Sequence, residues 1–127
     1  MTVNVLIITH TDVGQAMLQV VKTTFGEVPA HWHQLSVNYQ QDRDKILEQL
    51  TGYIHKLPGD DGTLIIADVF GATPCNTALE LTKIAKLRLI SGVNLPMLFK
   101  LVTYASLPLD ELADKALTGG REGIRLC

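Results

Sequence analysis

Two short runs of apolar, mostly β-branched residues, at positions 3–8 and 63–69, constrain the fold of this chain most. A strand in which apolar residues follow one another without polar alternation is covered on both faces. Each run is followed by a turn and then by apolar residues at helical spacing. Buried strands that alternate with helices pair in parallel through right-handed crossovers. We therefore predict an α/β fold with an open, mostly parallel sheet, in strand order 2-1-3-4, and helices on both faces.

Turn residues and helical spacing place the other elements. In the first half of the chain they are a helix capped by Asp12, a weaker strand at 32–37 and a helix from near Asp42. In the second half they are a helix opened by Thr73 and Pro74, a strand at 87–93, helices opened by Pro96 and Pro108, and a short terminal strand within 123–127. We expect the last helix to stop at Gly119 and Gly120. With no linker or repeat, residues 1–127 are predicted to form a single domain.

Composition excludes several classes of protein. With 46% hydrophobic and 19% charged residues, the chain can bury a core and does not fit the disordered class. A net charge of −2 gives no basic field for a phosphate backbone, so we expect no nucleic-acid partner. Two distant cysteines, Cys75 and Cys127, support neither a disulfide framework nor a zinc knuckle and fit a reducing compartment. Because no run could span a bilayer and the start lacks the basic residues of a signal peptide, we predict a cytoplasmic location.

Two chemically capable side chains stand at the ends of the two buried strands, His10 after the first and Asp68 after the third. In the predicted strand order these ends are neighbours at the point where ligands bind such sheets. A carboxylate that accepts from Nδ1–H fixes the imidazole tautomer and leaves Nε2 as a nucleophile. Gly71 lets the backbone approach an anion, and Thr73 opens a helix whose start suits phosphate. The combination predicts phosphoryl transfer to and from histidine.

The other histidines indicate no second centre. His31 and His33 share one strand face and could hold a metal only with a third ligand, which is not apparent, so a solvated strand is the preferred interpretation. His55 is predicted to lie on a helix surface. The sequence has no GxxxxGK[ST] loop and no acidic cluster for magnesium, which argues against a nucleotide donor. We expect no metal and no cofactor.

The chain resembles the mannose-type EIIA domain of the bacterial phosphoenolpyruvate-dependent sugar phosphotransferase system. Four stretches in order carry the resemblance: ITH at 8–10, DVFGATPCN at 68–76, GVNLPML at 92–98 and TGGREG at 118–123. Three positions, in two places, depart from the family pattern. The family commonly has Gly-Gly-Ser-Pro where this chain has Gly-Ala-Thr-Pro at 71–74, and it tends to have glycine where this chain has Thr11.

The resemblance implies that His10 accepts phosphoryl from the carrier HPr and passes it to a IIB component, with Asp68 orienting the imidazole. Gly71, Ala72 and Thr73 are then expected to bind the phosphoryl group, with Thr73 supplying the hydroxyl. The resemblance also implies a homodimer that exchanges a short antiparallel edge strand, expected here at 123–126. Contact with the membrane is expected only indirectly, through IIC and IID components. Since the sequence shows no IIB domain after Cys127, we expect a free-standing EIIA.

Several rival functions remain open from the sequence. The protein could be a regulatory phosphohistidine protein, or the phosphotransfer subunit of dihydroxyacetone kinase, which uses a similar domain. A receiver domain would need an acidic cluster after the first strand, where this chain has Thr9 and His10. A flavin-binding module would need aromatic residues near the loops to flank the isoalloxazine ring. The sugar cannot be predicted, because such a domain handles phosphoryl groups alone.

Overall fold

The sheet is parallel throughout and its strands follow the order β2-β1-β3-β4. The computed structural model describes residues 2–38, 41–69, 79–81 and 86–127. Its strands and helices are β1 (Asn4–His10), α1 (Val13–Phe25), β2 (Trp32–Val37), α2 (Arg43–His55), β3 (Thr63–Ala67), β4 (Leu87–Ser91), α3 (Leu95–Thr103) and α4 (Leu109–Glu122). Residues 79–81 are also helical. The predicted α/β class and strand order are confirmed.

Side-chain alternation along the central strands divides the core into two layers. Val5 and Ile7 of β1 pack with apolar residues of α1, α3 and α4. Leu6 and Ile8 of the same strand pack with α2 on the opposite face. All four side chains are fully buried, and each contributes on the order of 1.5–3 kcal/mol of burial free energy. Helices therefore cover both faces of the sheet, and the carboxyl ends of its strands meet at one edge.

The last helix passes through Gly119 and Gly120 and ends at Glu122, so the predicted stop was wrong. Neither glycine has a positive φ, the conformation that ends many helices. Both instead face α3 at close range. A Cβ on Gly120 would lie 2.8 Å from Met97 Cε, and a Cβ on Gly119 would overlap the Lys100 side chain. These glycines let the two helices approach closely.

The predicted terminal strand does not form within this single chain. Residues 124–127 follow α4 without regular structure. In this segment Ile124 is 76% exposed and Leu126 is fully exposed. An exchanged strand needs a second subunit, so the dimer remains a prediction. Within the described part of the chain, no helix is both long and apolar enough to cross a membrane.

Candidate functional site

The topology brings His10 and Asp68 together from positions far apart in sequence. His10 is the last residue of β1, and Asp68 directly follows β3, its parallel neighbour. His10 Nδ1 lies 2.6 Å from Asp68 Oδ2. This is the pairing predicted from the strand order.

Hydrogen bonds hold the Asp68 carboxylate on both of its oxygens. Oδ2 also accepts from the His10 backbone N–H at 2.9 Å, and Oδ1 accepts from the Val69 N–H at 3.0 Å. The Asp68 side chain is only 11% exposed, whereas that of His10 is 41% exposed. The carboxylate is thus a fixed, largely buried support for a surface-accessible imidazole.

The contact between the two side chains determines the tautomer of His10. Because an ionised carboxylate only accepts hydrogen bonds, Nδ1 carries the proton that lies between the two groups. In neutral imidazole the lone pair is then on Nε2, across the ring. The nucleophilic nitrogen is therefore Nε2, and Asp68 orients the imidazole ring through its contact with Nδ1.

The predicted phosphoryl-binding residues Gly71, Ala72 and Thr73 lie outside the described residues. The end of β3 just before Asp68 is described. There the Ala67 carbonyl accepts from the N–H groups of Gly92 and Val93, at 3.0 and 3.1 Å. Gly92 has a φ of 92°, which glycine adopts without a steric penalty. The turn after β4 is therefore fastened to the residue that precedes the carboxylate.

Asn94 continues this support into the helices. Its Oδ1 accepts from the Met97 N–H at 2.9 Å and so caps α3, the helix that was predicted to be opened by Pro96. Its Nδ2 donates to the Gly120 carbonyl at 2.9 Å. One side chain thus joins the start of α3 to the end of α4 beside the site.

The backbone just after His10 is strained. Thr11 has a φ of 39°, in the left-handed region where a residue with a Cβ costs about 1–2 kcal/mol. This is the position where the resembling family tends to have glycine, and the positive φ gives the physical reason.

Asp12, predicted to cap α1, occupies the N-cap position but its side chain makes no cap hydrogen bond.

The other histidines lie away from this pair. His33 of β2 pairs with Leu6, which lies four residues before His10 on β1. His31 precedes β2. Burial lowers the pKa of both, and the charge of His33 lowers that of His31 further. His55 is exposed at the end of α2, as predicted. Among the residues that the structure describes, no three His, Cys, Asp or Glu side chains are grouped to hold a metal ion.

Solved structures of similar fold cover nearly the whole chain. The phosphotransferase system component EIIA of Streptococcus agalactiae matches with a TM-score of 0.87 at 22% identity, over 98% of this chain and 97% of that chain. The mannose/sorbose-specific IIA subunit of Enterococcus faecalis matches with a TM-score of 0.88 at 22% identity, over 100% of this chain and 96% of that chain. At this level of identity the two matches establish the fold.

Sequence comparisons identify the family. The sorbose-specific EIIA component of Lacticaseibacillus casei is 28% identical over 80% of this chain and 73% of its own length. The mannose-specific EIIAB component of Escherichia coli K12 is also 28% identical, over 98% of this chain, which spans 39% of that longer protein. The family described as PTS system fructose IIA component, EIIA-man, matches residues 4–117. The chain therefore belongs to this mannose-type EIIA family, whose members are phosphotransferases that carry phosphoryl groups in the sugar phosphotransferase system.

Proposed function

We propose that His10 is the residue that carries the phosphoryl group, accepting it from phospho-HPr and passing it to a IIB component. The observation that carries this proposal is the 2.6 Å contact between His10 Nδ1 and Asp68 Oδ2. This contact holds the imidazole at the carboxyl ends of the parallel strands, with the lone pair on Nε2. The identities of the phosphoryl donor, HPr, and of the acceptor, a IIB component, are inferred from membership of the family.

The proposed transfer exchanges one nitrogen–phosphorus bond for another. Nε2 of His10 attacks phosphorus as the bond to the HPr histidine breaks, and the departing imidazole of HPr keeps the electron pair of that bond. Positive charge develops on the His10 ring during this step. Asp68 is already oriented toward Nδ1–H and stabilises that charge without reorganisation. Transfer to the IIB component repeats the exchange with His10 as the leaving group.

The residues proposed to receive the phosphoryl oxygens are Gly71, Ala72 and Thr73. Backbone N–H groups at the start of a helix favour an anion, and the Thr73 hydroxyl adds a donor. This assignment rests on the resemblance of the loop at 68–76 to the family motif. We place the cycle in the cytoplasm, with the membrane reached only through IIC and IID components.

The proposal extends to a homodimer built by the terminal segment. Ile124 and Leu126 alternate along an exposed stretch, which is the pattern of a strand with one apolar face. In the described sheet β4 is an edge strand, and an unpaired edge can accept another strand. Two chains that exchange residues 123–126 would cover each other's edges through one twofold contact.

The test is phosphorylation of the purified protein by phosphoenolpyruvate, enzyme I and HPr, followed by mass spectrometry in alkali, where phosphohistidine survives. We expect one modified residue, His10. His10→Ala should lose the modification, and the matched control His55→Ala, exposed on α2, should keep it.

A second variant tests the role of the carboxylate. Asp68→Asn should remain folded but transfer phosphoryl more slowly, because an amide cannot stabilise the imidazolium as a carboxylate does. Rapid-quench rates from phospho-HPr measure this effect. A wild-type rate in Asp68→Asn would remove the carboxylate from the mechanism. In the first experiment, labelling that persists in His10→Ala would refute the assignment of His10.

A further inference from the structure

Helix α1 is capped by a residue of the preceding strand rather than by its own N-cap residue. Asp12, at the N-cap position, makes no side-chain cap hydrogen bond. The Gly14 N–H instead donates to Thr9 Oγ1 at 2.7 Å. Thr9 is fully buried within β1, and it directly precedes His10. The hydroxyl therefore joins the end of the strand to the first turn of the helix.

This hydrogen bond closes a short loop that contains His10. The loop enters from β1, where Thr9 is paired with Ser36 of β2. Its Thr11 N–H reaches back to the Val37 carbonyl at 3.4 Å. A chain that turns from strand to helix within so few residues must bend sharply, and Thr11 shows the bend in its φ of 39°.

The fit around the hydroxyl leaves it little freedom. A Cβ on Gly14 would lie 3.0 Å from Thr9 Oγ1 and 3.1 Å from Gln34 Cγ. Glycine at this position lets the amide reach the hydroxyl while Gln34 packs over it. The strand end and the helix start are consequently joined by a tightly packed, buried contact.

We propose that Thr9 is a positioning residue for His10, an inference that rests on the proposed role of His10 as phosphoryl carrier. Asp68 orients the imidazole ring from one side. The hydroxyl of Thr9, through Gly14, holds the backbone from which that ring extends. Loss of the hydroxyl frees the loop, so that the ring no longer stays aligned with the carboxylate.

The experiment compares Thr9→Val, which keeps the shape and removes the acceptor, with Thr9→Ser, which keeps the acceptor. The second-order rate of transfer from phospho-HPr should fall about ten- to hundredfold in Thr9→Val and stay within about threefold of wild type in Thr9→Ser. Thr63→Val is the matched control, because Thr63 is a buried threonine of β3 at the opposite end of the sheet. It should transfer at the wild-type rate even where it lowers stability.

A second measurement reports on positioning without any phosphoryl transfer. Heteronuclear NMR of isotope-labelled histidine gives the tautomer of His10 in the unphosphorylated protein. Wild type, Thr9→Ser and Thr63→Val should show the Nδ1–H tautomer, and Thr9→Val a mixture of both tautomers. Should Thr9→Val not fold, Gly14→Ala replaces it, since the added methyl crowds the hydroxyl while leaving the amide in place.

Distinct outcomes overturn the inference and the proposed function. Wild-type rate and tautomer in Thr9→Val, or in Gly14→Ala where it stands in, refute the role of Thr9 while His10 keeps its assignment. A Thr9→Ser protein as slow as Thr9→Val, or an equal loss in Thr63→Val, shows that the hydroxyl does not act through His10. Phosphorylation of a residue other than His10 in the wild type refutes the proposed function itself.

Discussion

Individual histidines in this protein differ in what surrounds their ring nitrogens. His10 has a carboxylate 2.6 Å from Nδ1. His31 and His33 have a buried Nε2 atom with no hydrogen-bond partner in the part of the chain that the structure describes. Burial disfavours the charged form of an imidazole, which is the main reason why the pKa of each lies below its ordinary value of 6.5. One histidine is thus suited to phosphoryl chemistry, and two are suited to remaining neutral.

The half-buried His31 and His33 predict a loss of stability in acid. Their pKa is lower in the folded than in the unfolded chain, so the unfolded chain binds more protons once the pH falls below about 6.5. The free energy of unfolding should therefore decrease from that pH downward, until the folded protein is protonated as well. Urea unfolding at about pH 7.5 and about pH 5.5 measures the difference.

The control for this prediction is a change of the same kind at the exposed His55. His31→Gln with His33→Gln should reduce the loss between the two pH values, whereas His55→Gln should leave it as in wild type. An equal loss in wild type and in the double variant would assign the acid sensitivity to other groups.

At the scale of elements, the central strands β1 and β3 were easier to predict than helix ends. The runs in β1 and β3 are apolar on both faces, and such a pattern fits few structures other than a central parallel strand. The end of α4 was misjudged because Gly119 and Gly120 can either end a helix or admit a close neighbour. Only the position of α3 decides between these two roles.

This role of glycine predicts opposite effects at two helical positions. Gly52 in α2 has nothing within 4 Å of an added Cβ, so Gly52→Ala should stabilise the protein by about 0.5–1 kcal/mol. Gly119→Ala has the same gain in helix propensity, but its methyl group would overlap Lys100 Cγ and lie 3.1 Å from Lys100 Cβ, next to the backbone of α3. Overpacking costs about 1–3 kcal/mol, so we expect a net loss on the order of 1 kcal/mol.

Urea unfolding of both variants at one protein concentration tests this prediction. Stabilisation of Gly119→Ala equal to that of Gly52→Ala would show that α3 and α4 do not need glycine at their contact.

At the scale of the whole molecule, topology made the contact between His10 and Asp68 predictable. His10 and Asp68 are 58 residues apart, and the strand order alone predicted their contact. The contribution of Thr9 was not predicted, because a threonine inside a strand carries no local sign that its hydroxyl will cap the next helix. Its partner Gly14 is recognisable only once the loop geometry is known.

The predicted homodimer is a property of the whole molecule, and its association can be measured directly. Sedimentation equilibrium at micromolar concentration should give a dimer for the full chain and weaker association for a chain that ends at Glu122. Ile124→Ser with Leu126→Ser keeps the length and removes the exposed apolar side chains, so it should weaken the dimer as well. A monomeric full chain refutes the dimer, and an equally tight dimer without residues 123–127 refutes strand exchange.

Asp68 is proposed to hold Nδ1 of His10 so that Nε2 receives the phosphoryl group. Heteronuclear NMR of the phosphorylated protein, with labelled histidine, identifies both the residue and the ring nitrogen that is modified. The structure predicts a single phosphohistidine, His10, with phosphorus on Nε2 and Nδ1 still protonated toward Asp68. Phosphorus on Nδ1 of His10, or on any other histidine, would contradict this account.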